Sequence, residues 1–212
     1  MNQIIRIKCG NGNCYIIQNG THGILVDTGR KEFIGQVAEK CKLYHVGLIL
    51  LTHGHFDHAE NAAALSKQFG IPVAMHQGDC NLIASNHNQP LSAASLPGKI
   101  VLALSNRDFS ARPAAVFQPD IFMDDGDDLS DYGVRAHIFA APGHTDGSIG
   151  VDVEGDGVIV GDALMNLFYP TVSMLYHDRE QMLKSAERIS TFGSRMIYFG
   201  HGKPVKNRQW VK

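Results

Sequence analysis

The chain has 212 residues, 44% of them hydrophobic, with 19 Lys+Arg against 21 Asp+Glu for a formal net charge of −2. This is globular composition, long enough to bury a core and too apolar for a disordered chain. Without a basic block there is no electrostatic reason to expect a nucleic acid or an anionic membrane as partner. The best apolar run, residues 46–51, is far short of the ~20 residues a membrane helix needs.

The N-terminal residues carry no basic segment followed by an apolar stretch. The cysteines Cys9, Cys14, Cys41 and Cys80 form no C-x-x-C pair. Reduced, mostly buried thiols in a soluble cytoplasmic protein are therefore expected. Residues 14–18 and 23–27 around Asn19-Gly20 predict a β-hairpin. Residues 32–42 predict an amphipathic helix, with Phe33, Val37 and Cys41 at spacings of four. A buried strand over 47–52 is followed by an Ala-rich helix over 57–69 that stops at Gly70, then a short strand over 71–75. This alternation predicts α/β layering.

Residues 81–119 hold Pro90, Pro97, Pro113 and Pro119 and read as a mixed helix-and-loop excursion, not a linker. The run Asp124-Asp125-Gly126-Asp127-Asp128 lacks the register and terminal Glu of a calcium loop and reads as a solvated hairpin turn. Strands follow over 135–140, 148–153 and 157–160. Residues 178–191 predict a helix with Asp178 as N-cap and Gln181 as its capping-box partner, and 196–199 a last buried strand. No internal repeat is present. The two halves each give hairpin, strand and helix, which predicts two facing sheets with helices outside, one domain over residues 1–212.

Chemistry concentrates at strand ends. Thr52-His53-Gly54-His55-Phe56-Asp57-His58 stands between a buried strand and a helix. In an extended segment residues two apart point the same way, so His53 and His55 can aim at one point. Asp57 and His58, at the helix start, can turn toward a neighbouring one. Three imidazoles and a carboxylate so placed form a liganding arrangement. Pro142-Gly143-His144-Thr145, Gly161-Asp162 and Gly200-His201-Gly202 each follow a later strand and each put one His or Asp beside a turn-forming glycine. Of the 11 histidines, His53, His55, His58, His144 and His201 share this context; His22, His45, His76, His87, His137 and His177 do not. No Gly-x-Ser-x-Gly elbow, Walker loop or Gly-x-Gly-x-x-Gly cradle is present.

In that order these motifs resemble the metallo-β-lactamase-fold hydrolase superfamily. Asn13-Cys14-Tyr15-Ile16-Ile17 and Leu25-Val26-Asp27-Thr28-Gly29 are similar to its opening hairpin, so the resemblance runs over residues 13–204. It implies an α/β fold of αββα type, two mixed sheets flanked by helices, with a dinuclear site at one edge of the sheets. Residue by residue it implies one metal on His53, His55 and His144, a second on Asp57, His58 and His201, and Asp162 bridging them. Imidazole and carboxylate ligands suit two Zn²⁺ per chain, and also Fe or Mn. Asp27 is expected to orient a ligand histidine through its ring N–H. Two divalent ions lower the pKa of a shared water from ~15.7 toward ~7. The resulting hydroxide would attack a small thioester, ester, lactone or lactam, with Asp57 holding it in line and accepting a proton.

The glyoxalase II-like members carry a C-terminal helical segment that helps bind glutathione, whereas here residues 202–212 are all that follow His201. Ala59-Glu60 also stands where those members have two glycines. A mononuclear iron oxidoreductase like the persulfide dioxygenases, and a non-catalytic metal-binding module, are the alternatives on the same fold. The full set of Asp57, His58 and His201 favours the hydrolase. Leu167, Phe168 and Tyr169, just after Asp162, and the 81–119 excursion are candidate walls for a small-molecule substrate, though Phe168 and Tyr169 can equally cover the sandwich edge.

Overall fold

The computed structural model describes residues 1–111 and 117–211; residues 112–116, inside the predicted excursion, lie outside the described residues. The first half runs β1 (Gln3–Cys9), β2 (Gly12–Asn19), β3 (His22–Val26), α1 (Ile34–Leu43), β4 (Val46–Leu50), α2 (Phe56–Ala59), α3 (Ala62–Phe69), β5 (Val73–Met75), α4 (Cys80–Ala84), α5 (Leu96–Ala111) and β6 (Ile121–Phe122). The second runs β7 (Ala136–Ala140), β8 (Ile149–Val153), β9 (Gly157–Gly161), β10 (Leu164–Met165), β11 (Thr171–Val172), α6 (Arg179–Ser190), β12 (Met196–Phe199) and β13 (Val205–Lys206).

Strands β1 to β6 form one sheet in chain order, and β13-β12-β9-β8-β7 form a second; β10 and β11 make a separate ribbon. The antiparallel β1–β2–β3 start passes into parallel β3–β4–β5–β6, and β9 and β12 also pair parallel. Alternation along each strand decides the layers. Tyr15, Ile17, Ile24, Val26, Leu48 and Leu50 meet Ala136, Ile138, Val151 and Ile159 in the core between the sheets. Their neighbours Ile16, Leu25, Ile49 and Leu51 point the other way, onto Val37 and Cys41 of α1 and Leu65 of α3. Val158, Val160, Ile197 and Phe199 do the same on the second sheet, against Ala186 and Ile189 of α6 and Trp210. The central strands are buried on both faces, which is why they read as continuous apolar runs. The result is the expected αββα sandwich.

Several local readings change. The hairpin turn is Gly20-Thr21, one residue later than Asn19-Gly20, because Asn19 pairs with His22 and Gly20 takes the left-handed φ of +60°. The predicted helix over 57–69 is two helices. It breaks at Asn61, whose N–H donates to Thr28 Oγ1 (3.2 Å) while Nδ2 donates to the carbonyls of Thr28, Gly29 and Arg30. Strand β1 and the 16-residue α5 were not legible as single elements. The α6 cap is as expected at Asp178, whose Oδ1 accepts from Glu180 N and Gln181 N. The Gln181 side chain, however, bonds Asp178 Oδ2 and not the cap backbone. The acidic run turns at Gly126, whose N–H donates to Ile138 O. All four cysteines are free, three of them buried. No described helix is long and apolar enough to cross a membrane.

Candidate metal centre

Strands β4, β7, β9 and β12 end at the same edge of the sandwich, and the predicted side chains stand on the segments that leave them. The two sheets are stitched there by Ile149 N donating to Thr52 O (2.9 Å). Ligating atoms from three overlapping groups converge: His53, His55 and His144; His53, His58 and Asp162; and Asp57, His58 and His201, the atoms within each group lying within 4.8 Å of one another. All seven residues named from the sequence are thus brought together. Asp162 stands between the outer two groups, with Oδ2 3.7 Å from His144 Nε2 and 3.3 Å from His201 Nε2, and Oδ1 3.6 Å from His58 Nε2.

Four of the five rings are aimed by a hydrogen bond at the far nitrogen. His58 Nδ1 donates to Asp27 Oδ2 (2.8 Å), His144 Nδ1 to Leu175 O (2.9 Å) and His201 Nδ1 to Asn11 O (3.2 Å). Thr52 Oγ1 donates to the Asp27 carboxylate and accepts from His53 Nδ1 (3.1 Å). In these four rings Nδ1 is committed to the outward hydrogen bond, and Nε2 faces inward. His55 is reversed: its Nδ1 faces His144 Nε2 at 3.1 Å, and its ring lies stacked on Phe109. Asp27, expected to orient one histidine, therefore reaches two, His58 directly and His53 through Thr52. It does so at φ +60°, a costly conformation for a residue with a side chain.

The buried nitrogens His53 Nε2, His55 Nε2 and His58 Nε2 and the oxygen Asp162 Oδ1 have no hydrogen-bond partner. Four such atoms in one place is costly unless something else satisfies them. Divalent cations do so chemically, since every orphan can offer a lone pair once deprotonated, and the donor set fits such ions. The charges sort into two halves. Burial, reinforced by the imidazoles around it, holds His53 well below the ordinary histidine range. Burial and His144 bring His55 down to about 3, and burial also lowers His144. Burial pulls on His58 too, but Asp27, Asp162 and Asp57 outweigh it and raise it to about 9; Asp162 and Asp57 likewise raise His201. Conversely, burial pushes Asp57 and Asp162 up, but His58 and His201 hold both below the usual carboxylate range. The first group is neutral and the second draws positive charge.

Glycines make room for this. A Cβ at Gly161, which has φ +51°, would lie 2.7 Å from Thr52 Oγ1. One at Gly143, with φ +124°, would lie 2.1 Å from Met182 N at the start of α6. Sequence reasoning missed the anchors. Asp79, fully buried, accepts from Gly54 N (2.9 Å), Thr145 Oγ1 (2.7 Å) and Gly147 N (2.7 Å), tying the His53–His55 loop to the His144 loop. Burial outweighs those bonds and raises its pKa. Asn13 donates from N to Gly200 O and from Nδ2 to Phe199 O and Gly202 O, fixing the His201 loop to β2. A lone Asp four residues past a strand carries no spacing signal; only the tertiary clasp reveals it.

A cavity of about 810 Å³ opens over the cluster, lined by His55, Asp57, His144, Asp162 and His201, and on its outer side by α5. Part of the predicted excursion is thus a wall of the site. Leu167 and Phe168 also line the cavity, whereas Tyr169, half exposed, is not among its lining residues.

The family model described as the metallo-beta-lactamase superfamily matches residues 7–201. The chain belongs to the metallo-β-lactamase superfamily. It is 30% identical to the hydroxyacylglutathione hydrolase GloC of Haemophilus influenzae over 76% of this chain and 71% of that protein. It is 25% identical to the atrochrysone carboxyl ACP thioesterase of Aspergillus fumigatus, over 98% of this chain and 58% of that one. The fold is also that of the solved BLEG-1 B3 metallo-beta-lactamase, with a TM-score of 0.74 at 22% identity over 97% and 94% of the two chains.

Proposed function

We propose that this metallo-β-lactamase superfamily member is a dinuclear metal-dependent hydrolase of small thioesters, with esters, lactones and lactams as related substrates. The observation that carries the reading is the convergence of seven His and Asp side chains, five of which line one cavity and four of which carry an unpartnered buried nitrogen or oxygen. His53, His55 and His144 would hold one ion and Asp57, His58 and His201 the other, with Asp162 shared; zinc is the ion this donor set suits first. When bound, the ions supply Lewis acidity, polarising an acyl carbonyl and making water acidic enough to ionise near neutral pH.

The protein's own groups do the rest. Asp27, Thr52, Leu175 and Asn11 hold the rings in fixed tautomers, so no reorganisation is needed as charge develops. Asp57, partly exposed to the cavity and 3.4 Å from His201 Nε2, is placed to orient the attacking water and take up its proton. The thioesterase and hydroxyacylglutathione hydrolase names of the two relatives support the choice of thioesters.

Metal content of protein purified without added metal, with turnover of a thioester panel, tests this. Two zinc per chain and an Asp57→Asn variant that folds but loses at least about 100-fold in kcat are expected. One iron per chain with oxygen uptake on a persulfide would overturn it.

A further inference from the structure

Which acyl group such a hydrolase takes is written in α5, and the inference rests on the hydrolase reading. Helix α5 bridges the cavity. Near its start, a Cβ on Gly98 would lie 2.9 Å from Met174 O, beside the Leu175 carbonyl that aims His144. Near its end, Asp108 pairs with Arg30 at 3.0 Å and Phe109 stacks on His55, ring centroids 5.1 Å apart. The residues it turns to the cavity are aliphatic toward its start, Val101 and Leu104, and mixed toward its end, where Ser105, Arg107 and Asp108 stand beside the aromatic Phe109. Leu167 and Phe168 line the same cavity, next to Asn166, which donates from N to His201 O (3.0 Å) and from Nδ2 to Lys203 O (2.7 Å).

The apolar half does not stop at the cavity. Leu104 and Phe168 line it yet remain 60% and 66% exposed. Ile100 and Leu96, one and two turns before Leu104 on the same side of the helix, are 57% and 74% exposed. A surface helix ordinarily turns polar residues outward. Here an apolar strip about 12 Å long, at ~1.5 Å rise per residue, leads out from the site. Its continuity with the cavity identifies its occupant as part of the molecule whose carbonyl lies at the histidines.

We propose that the substrate is an alkanoyl thioester whose hydrocarbon chain leaves the cavity between Leu104 and Phe168 and runs along α5 over Ile100 toward Leu96. Water adds to the acyl carbon, the C–S bond breaks, one water proton leaves with the thiol and the other passes to solvent, and the alkanoate product keeps the chain in the same channel.

The test is a ladder of N-acetylcysteamine thioesters, acetyl to decanoyl, on the metal-loaded protein, with calorimetric titration of the matching alkanoates. Each added methylene should raise kcat/KM about two- to fourfold until the strip is covered, with alkanoate affinity climbing in parallel. Leu104→Asp and Phe168→Ala should each lower the decanoyl-to-acetyl ratio of kcat/KM at least about tenfold. Thioesters turned over with no dependence on chain length, or alkanoates bound no better as they lengthen, would overturn the channel while leaving the hydrolase reading intact. Absence of all turnover, with decanoate still binding more tightly than butyrate, would overturn the hydrolase and uphold the channel.

Discussion

Gly200, between β12 and His201, is where a single methyl group should press directly on two of the converging ligand side chains. A Cβ there would stand 2.1 Å from Asp162 Oδ1 and 2.8 Å from His58 Cε1, closer than the 3.0 Å below which real Cβ contacts are essentially never found. The backbone cannot retreat, because Gly200 N donates to Gly161 O and Gly200 O accepts from Asn13 N, both at 2.8 Å. The Asp162 carboxylate and the His58 ring must therefore give way by up to about 1 Å, a misplacement that typically costs about 100-fold in rate. Overpacking should lower stability by only about 1–3 kcal/mol, which is roughly 3–10 °C in Tm for a chain of this size, because the atoms that move are polar side chains at the sandwich edge. Gly200→Ala should thus fold, bind less than its full complement of zinc by elemental analysis, and lose about 100-fold in kcat/KM on the best thioester. Gly47→Ala on β4, where a Cβ meets nothing within 4 Å, is the control and should leave metal content and rate unchanged. A Gly200→Ala protein holding two zinc per chain at near wild-type rate would refute the steric reasoning.

Removing Asp27 strands His58 Nδ1 and the Thr52 hydroxyl that aims His53, so Asp27→Ala should weaken zinc binding about 10- to 100-fold in a competitive chelator titration. Asp79→Ala leaves the buried donors Gly54 N, Gly147 N and Thr145 Oγ1 without their acceptor. Thr145 Oγ1 keeps Ser148 Oγ as a partner at 2.6 Å, so at about 1–3 kcal/mol for each of the two stranded backbone groups, urea unfolding should show a loss of at least about 2 kcal/mol. In the metal-free protein His58 and His201 are raised and protonated at pH 7, whereas His53, His55 and His144 are lowered and neutral. Filling the second group should therefore release protons and weaken as pH falls, while filling the first should release none. Zinc calorimetry in buffers of different ionisation enthalpy measures the difference.

The sandwich was legible because its strands are short, apolar and separated by turn residues, and because α1 and α6 carry one-sided apolar faces. The seven converging side chains were legible because all follow strand ends, five of them beside a glycine. Elements whose pattern is set by partners were not. Asn61 breaks a helix that its neighbours' propensities would continue, because its hydrogen bonds go to the 28–30 loop. Helix α5 has little one-sided patterning, since its apolar side lines a cavity at Leu104 and stays exposed at Ile100 and Leu96, so its run of 16 residues read as part of a mixed helix-and-loop excursion.

By itself the sequence determined the layering and the kind of donors at the site, since period-two alternation and residue chemistry are local properties of the chain. The tertiary structure decided what the donors face and what holds them. Asp27 reaching two histidines, Asp79 clasping two loops, Asn13 fixing the His201 turn and α5 roofing the cavity all join residues distant in sequence. The physical reason is that a hydrogen bond or a cavity wall depends on where two segments meet, which no single segment encodes.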